Sequence, residues 1–213
     1  MLVIFDLDGT LLNTLDDLSA AANHALTQCG FAPRSMEECR RFVGNGVTKL
    51  LERALPDGHK TSENVARMKT AFFAYYDKHL ADTTYPYDGI CEALAALQAR
   101  GVKLAVASNK YQAATAQLIA HFFPSVSFAA VLGQREGVPV KPHPQIVQDI
   151  LAAANETCEH TLYVGDSDVD MQTAQNAGVR ACGVTWGFRS RESLAACHPA
   201  YLIDNPKELL EIL

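Results

Sequence analysis

Six short apolar runs punctuate the chain. They lie at residues 2–5 (LVIF), 102–107 (VKLAVA), 128–132 (FAAVL), 161–165 (TLYVG), 181–184 (ACGV) and 200–203 (AYLI). Runs of this length bounded by Gly, Asp or Asn predict buried strands. Between them the apolar positions recur at helical spacing. Residues 89–100 place Ile90, Ala93, Leu94 and Leu97 on one face, and residues 111–123, 144–154, 169–177 and 206–213 repeat the pattern. Gly101 and Gly178 stand where helices end. From residue 85 onward strand and helix alternate, which predicts a parallel sheet covered by helices on both faces.

The interval after the first strand breaks this rhythm. Residues 13–29 carry Leu15, Leu18, Ala22, Ala25, Leu26 and Cys29 at helical spacing. Helical stretches at 35–42, 47–55 and 62–80 follow without an intervening strand. The expected architecture is therefore α/β: a doubly wound, mostly parallel Rossmann-like sheet with a small all-helical cap domain inserted after strand 1. Its core would span residues 1–13 and 83–213, and the cap residues 14–82. Ligands of such sheets bind beyond the carboxyl ends of the strands, so the insertion is expected to cover the site.

Composition narrows the function. The 213 residues are 48% hydrophobic and 20% charged, ordinary for a globular protein large enough to need no disulfide or metal staple. A net charge of −6 with no long basic run argues against nucleic acid or an anionic membrane as partner. No apolar stretch approaches a membrane span. The start, MLVIFDLDGT, has an acid at position 6 and no basic segment, unlike a signal peptide. Six scattered cysteines without a CxxC pair read as free thiols of a reducing compartment, so a cytoplasmic location is expected.

Chemistry gathers at the strand ends. Asp6 and Asp8 are two apart as the first strand finishes, so both carboxylates can face one pocket, and Gly9 permits a sharp turn. Paired acids are tolerated where a cation lies between them or one keeps a proton, and such a pair can supply both a nucleophile and a proton donor. Ser108-Asn109 follow the second run, Lys141 lies in VKPHP after the third, and Asp166, Asp168 and Asp170 follow the fourth. Singly, each has a structural explanation: a turn, a helix cap or a solvated lysine. Four polar clusters at four strand ends point together to one site.

These four stretches resemble the motifs of the haloacid dehalogenase-like hydrolases, in the phosphatase branch with a helical cap after the first motif. Asp6 to Thr10 matches Asp-x-Asp-Gly-Thr, Ser108 the second motif, Lys141 to Pro144 the third, and Gly165 to Asp170 the fourth. The likeness covers essentially the whole chain. Within the family it is similar to phosphoglycolate phosphatases, on residues 43–55, 183–188 and 200–213. Asn13-Thr14 stand where many relatives have Asp-Ser, at the hinge into the cap. The resemblance implies a phosphomonoesterase acting on a small phosphate ester, with Asp6 as nucleophile and Asp8 as acid and base. It assigns Mg²⁺ to the Asp6 carboxylate, the Asp8 carbonyl and the Asp166 carboxylate, with Asp170 behind these ligands or orienting Lys141. Ser108, Asn109, Lys141 and Thr10 would bind phosphate, helped by the backbone N–H groups of Leu7, Gly9 and Asn109. Gly44, Asn45, Gly46, Lys49 and Arg53 in the cap are candidates for specificity, Lys49 and Arg53 lying four apart on one helix face. A monomer or homodimer is expected.

Rival readings differ in what they require. A dehalogenase needs neither Asp8 nor the Asp166 cluster. A phosphonate-cleaving relative needs a cap lysine, for which only Lys49 offers itself, and lacks Asp8. A pyrophosphatase, a sugar-phosphate phosphatase or a phosphoglucomutase keeps all four motifs and differs mainly in the cap. A non-enzymatic phospho-aspartate receiver uses similar residues, but places its acid after the third strand and has no use for the helical insertion.

Overall fold

A computed structural model describes all 213 residues. Contacts divide the chain into two compact units, Met1–Asn13 with Pro86–Leu213, and Thr14–Tyr85. The return crossing falls at residues 85 and 86, just past residue 83.

In the first unit the strands are β1 (Leu2–Phe5), β4 (Lys103–Tyr111), β5 (Phe128–Gln134), β6 (Thr161–Gly165), β7 (Arg180–Val184) and β8 (Tyr201–Ile203), after the short β2 (Leu12–Asn13) and β3 (Tyr85–Pro86). The six form one sheet in the order β5-β4-β1-β6-β7-β8, and every neighbouring pair is parallel. The chain runs outward from β1 through β4 to β5, then crosses back to β6 on the other side of β1. That reversal places a topological switch point at the end of β1, where a crevice opens in doubly wound sheets. Helices α5 (Ile90–Ala99), α6 (Gln112–Phe122), α7 (Gln145–Ala154), α8 (Asp168–Ala177), α9 (Arg191–Ala195) and α10 (Leu209–Ile212) connect or follow the strands.

A central parallel strand is buried on both faces, and all four residues of β1 are fully buried. Alternation assigns its sides. Leu2, Ile4, Ala105, Ala107 and Tyr163 pack with Ile146, Val147 and Ile150 of α7 and Ala174 of α8. Val3 and Phe5 face the opposite layer, by the period of two along a strand. Where the interior turns polar, at Asp6, the sheet ends and the site begins.

Strand β4 runs four residues beyond the Ala107 at which the apolar pattern stops. Its register against β5 shifts between Ala107 and Tyr111. Ser108, Asn109 and Lys110 are thus strand residues, not a helix cap, and α6 begins after Tyr111 with no side-chain cap. Two features escape the hydrophobic pattern altogether: the two-residue strands β2 and β3, which pair with each other, and the five-residue α9.

The second unit is a bundle of α1 (Leu15–Gln28), α2 (Met36–Phe42), α3 (Gly46–Ala54) and α4 (Ser62–Tyr76). Helix α1 packs along α4, burying Ala21, Ala22, Ala25 and Leu26 beside Met68, Phe72 and Tyr76. Asp17, in the first turn of α1, is buried and accepts bonds from the backbone N–H and hydroxyl groups of Thr83 and Thr84 at 2.6–3.1 Å. One carboxylate thereby fastens the first helix to the returning end of the unit. No helix is long and apolar enough to cross a membrane.

Candidate active site

Asp6 leaves β1 at the switch point with its backbone N–H still bonded to Val164 of β6 (2.9 Å). Its Oδ1 accepts from the Leu7 N–H at 2.7 Å and lies 2.9 Å from Lys141 Nζ. Both contacts fall on the same oxygen, so the carboxylate is held by one atom and offers the other. The turn that follows is closed by Leu7, whose carbonyl accepts from the N–H groups of Thr10, Leu11 and Leu12. Gly9 adopts φ +88° there, a left-handed conformation that side chains disfavour.

Lys141 reaches the same point from the β5–α7 connection. Its ammonium donates to Asp170 Oδ1 (2.7 Å), the Ala107 carbonyl (3.0 Å) and the Tyr163 hydroxyl (3.1 Å), as well as contacting Asp6. Asn109 clasps its backbone from β4, Nδ2 donating to the Lys141 carbonyl (3.1 Å) and Oδ1 accepting from the Lys141 N–H (2.9 Å).

Helix α8 supplies the remaining acids. Ser167 caps it, and Asp170 closes the capping box by accepting from the Ser167 N–H and hydroxyl through Oδ2. With Oδ1 on Lys141 and Oδ2 on Ser167, Asp170 is committed to holding its neighbours. Gly165 makes room for it, since a Cβ there would strike the Asp170 side chain. Asp166 Oδ2 accepts from the Phe188 N–H at 2.6 Å, and Oδ1 from the Thr10 hydroxyl at 3.4 Å. Asp168 is turned outward, 3.9 Å from Arg189.

The charge balance of this cluster is unequal. Ligand oxygens of Asp6, Asp166 and Asp170 all lie within 4.8 Å of one another, and all three residues are buried. Three carboxylates against the single Lys141 ammonium leave a formal charge of −2. Burial lifts the Asp6 carboxyl well above its usual range, Asp170 and Asp166 add to the lift, and Lys141 opposes it. Burial and then Asp170 raise Asp166 to about 7, against the Phe188 N–H and Arg189. Burial alone would discharge Lys141, but Asp170 and Asp6 outweigh it and hold the ammonium well above its usual range. A dense, buried, under-compensated set of hard oxygen donors fits a divalent cation such as Mg²⁺.

Asp8 lies apart from that imbalance. Lys110 Nζ contacts both its oxygens, at 2.9 and 3.2 Å, forming a locally neutral pair. Ser108 Oγ accepts from the Lys110 N–H at 3.1 Å, which leaves the hydroxyl hydrogen to point at an incoming oxygen.

The structure therefore gathers Asp6, Asp8, Thr10, Ser108, Asn109, Lys141, Asp166 and Asp170 at one sheet edge. It changes the work of several. Asn109 holds Lys141, and the Thr10 hydroxyl faces Asp166. The Leu7 and Gly9 N–H groups, expected as phosphate donors, bond instead to Asp6 Oδ1 and the Leu12 carbonyl (2.8 Å). In the helical unit, Arg53 donates to the Phe42 carbonyl and Asn45 Oδ1, tying down the loop at 43–46, while Lys49 pairs at the surface with Glu52. Three contributors went unrecognised in the sequence: Lys110, Tyr163, and Trp186, whose indole N–H donates to the Thr10 carbonyl at 3.0 Å.

Comparison with known proteins agrees with this geometry. The family model described as haloacid dehalogenase-like hydrolase matches residues 3–184. The chain is 38% identical over 193 residues to a phosphoglycolate phosphatase of Cereibacter sphaeroides, covering 88% of this chain and 86% of that one. It is 34% identical over 214 residues to phosphoglycolate phosphatase 1 of Pseudomonas aeruginosa, covering 98% and 78%. A crystal structure of a predicted phosphoglycolate phosphatase from Haemophilus somnus superposes with a TM-score of 0.92 at 30% identity, over 99% of this chain and 96% of that one. The chain belongs to the haloacid dehalogenase-like hydrolase family. It is an enzyme, and the curated relatives it matches here are phosphatases.

Proposed function

We propose that this enzyme is a Mg²⁺-dependent phosphomonoesterase that converts 2-phosphoglycolate and water to glycolate and inorganic phosphate through an aspartyl-phosphate. The observation that carries the chemistry is Asp6: a buried carboxylate with Oδ1 fixed by Leu7 and Lys141 and Oδ2 open. The substrate is taken from the relatives, which are phosphoglycolate phosphatases.

Asp6 Oδ2 attacks phosphorus while the ester oxygen departs in line. Asp8, having taken up a proton before the attack, gives it to that oxygen, then takes one from the water that cleaves the aspartyl-phosphate, returning phosphate, free Asp6 and a protonated Asp8 for the next cycle. Proton transfer of this kind is worth roughly 10²–10⁴ in rate. The Ser108 hydroxyl and the Lys141 ammonium hold phosphoryl oxygens as charge builds on them. The Asp6 and Asp166 carboxylates and the Asp8 carbonyl would hold Mg²⁺, which neutralises the repulsion between a carboxylate and a phosphate dianion. Lys49 and the loop at 44–46 are the proposed contacts for the substrate carboxylate, with Arg53 shaping that loop.

A phosphate-release screen over about 50 phosphorylated metabolites, with Mg²⁺ and again with EDTA, tests both levels. Metal-dependent multiple turnover with 2-phosphoglycolate preferred is the expected result. A preference of about 100-fold for another ester, or for pyrophosphate, sinks the substrate and keeps the chemistry. Asp6→Asn is expected to lower turnover by about 10⁴-fold or more while keeping the native circular dichroism spectrum. Wild-type rates in that variant would overturn the nucleophile.

A further inference from the structure

Lys110 is a buried ammonium that the reaction described above does not use. Its side chain is 3% exposed, and it lies on β4 beyond the point where the apolar pattern ends. Burying a lysine–aspartate pair is a poor way to gain stability, because desolvation offsets most of the attraction. The pair has to be explained by what it does to Asp8.

The geometry is that of a clamp. Lys110 Nζ touches both Asp8 oxygens, at 2.9 and 3.2 Å, which fixes the carboxylate plane as well as its position. The clamp is itself anchored. The Lys110 N–H donates to Ser108 Oγ (3.1 Å), and its carbonyl accepts from the buried Thr115 hydroxyl (3.1 Å). Gly133 of β5 lies against that carbonyl so closely that a Cβ would strike it. Ser108 and Lys110 are two apart at this strand end, inside the register shift between Ala107 and Tyr111, and the Lys110 N–H bond to Ser108 Oγ links them directly. One strand end thus carries both the hydroxyl for the phosphoryl group and the ammonium that grips the acid.

We infer that Lys110 is a positioning residue: it fixes the Asp8 carboxylate in register with the phosphate held at Ser108, so that proton transfer to the leaving oxygen follows the same geometry as the attack. The inference rests on the proposed role of Asp8. Misplacing a reacting group by about 1 Å can cost about 10²-fold, and in the attack step that cost falls only on leaving groups that need the proton.

The experiment varies the leaving group. Lys110→Met and Lys110→Arg are compared with wild type on the alkyl ester that the screen selects, and on p-nitrophenyl phosphate, whose phenolate departs unprotonated. Expected for Lys110→Met is a loss of about 10²-fold in kcat/KM on the alkyl ester and under about 5-fold in kcat/KM on the aryl ester, because kcat/KM reports the attack step and not the aspartyl-phosphate hydrolysis that both esters share. Lys110→Arg, which keeps a cation, should recover most of the loss. Lys110→Met is also placed on Asp8→Asn, where it should cost less than about 2-fold, because residues acting as a unit are not additive. Equal losses in kcat/KM on both esters, no loss on either, or full additivity with Asp8→Asn overturns the inference. If Lys110→Met does not fold, Lys110→Gln, which also removes the cation, is read by the same criteria. Failure of the proposed function reads differently, because wild type and variants would then all be inactive on alkyl esters.

Discussion

Two lysines a few residues from the catalytic edge, both buried, do opposite electrostatic work. Lys141 is the one ammonium within the cluster of Asp6, Asp166 and Asp170, which it leaves with a formal charge of −2, Arg189 acting on Asp166 from outside it. Lys110 meets one acid, Asp8, and the two cancel. A region that is short of positive charge has room for a cation and for a dianionic substrate. A region that is balanced can keep a carboxylate in one pose. Binding and proton transfer thus make separate electrostatic demands within a single cleft, and the sheet meets them with cations from two different strand ends.

That contrast can be broken at its strongest point by Lys141→Met. Three buried carboxylates would then face each other unbalanced, and stability should fall by about 3–5 kcal/mol in urea unfolding, whereas Lys110→Met leaves one carboxylate, 14% exposed and open to rehydration, and should cost clearly less. Similar losses for the two variants would erase the distinction. A somewhat smaller effect sharpens it. Mg²⁺ binds only the folded site, so at 100 times its dissociation constant it should stabilise the protein by about 2.7 kcal/mol, visible in thermal unfolding. Asp166→Asn should lose most of that shift and Asp8→Asn little of it. The smallest effect lies in the helical unit. Lys49→Ala should raise KM for 2-phosphoglycolate a few-fold, leaving KM for p-nitrophenyl phosphate unchanged, because an exposed cation contributes about 1 kcal/mol or less.

Much of this arrangement is legible from sequence, because the strands are short apolar runs and each acid follows one directly. Asp6, Ser108, Lys141 and Asp166 are recognisable as a set, each following an apolar run. What stays hidden has physical reasons. Strand β4 continues through polar residues, so the hydrophobic pattern stops at Ala107 and conceals the fact that Ser108 and Lys110 belong to one strand end. The register shift after Ala107 breaks the two-residue period, so alternation does not reach Lys110. Tyr163 looks like any apolar strand residue, and only its hydroxyl, 3.1 Å from Lys141, gives it a polar task. Trp186 and Phe188 reach Thr10 and Asp166 through an indole N–H and a main-chain N–H, contacts across about 20 to 180 positions of sequence that no local pattern encodes. The strands β2 and β3 are too short for a period of two to register.

Gly187 holds a quieter constraint. A methyl group there would strike both the Asp166 side chain and the Gly9 carbonyl, so the segment carrying Trp186 and Phe188 can lie against the acid turn only because an atom is missing. Vulnerability to mutation in this protein therefore does not track reactivity. An alanine at 187 would disturb the cleft from a residue that has no functional group to lose, and a survey of substitutions would record intolerance at a place that inspection for chemistry passes over.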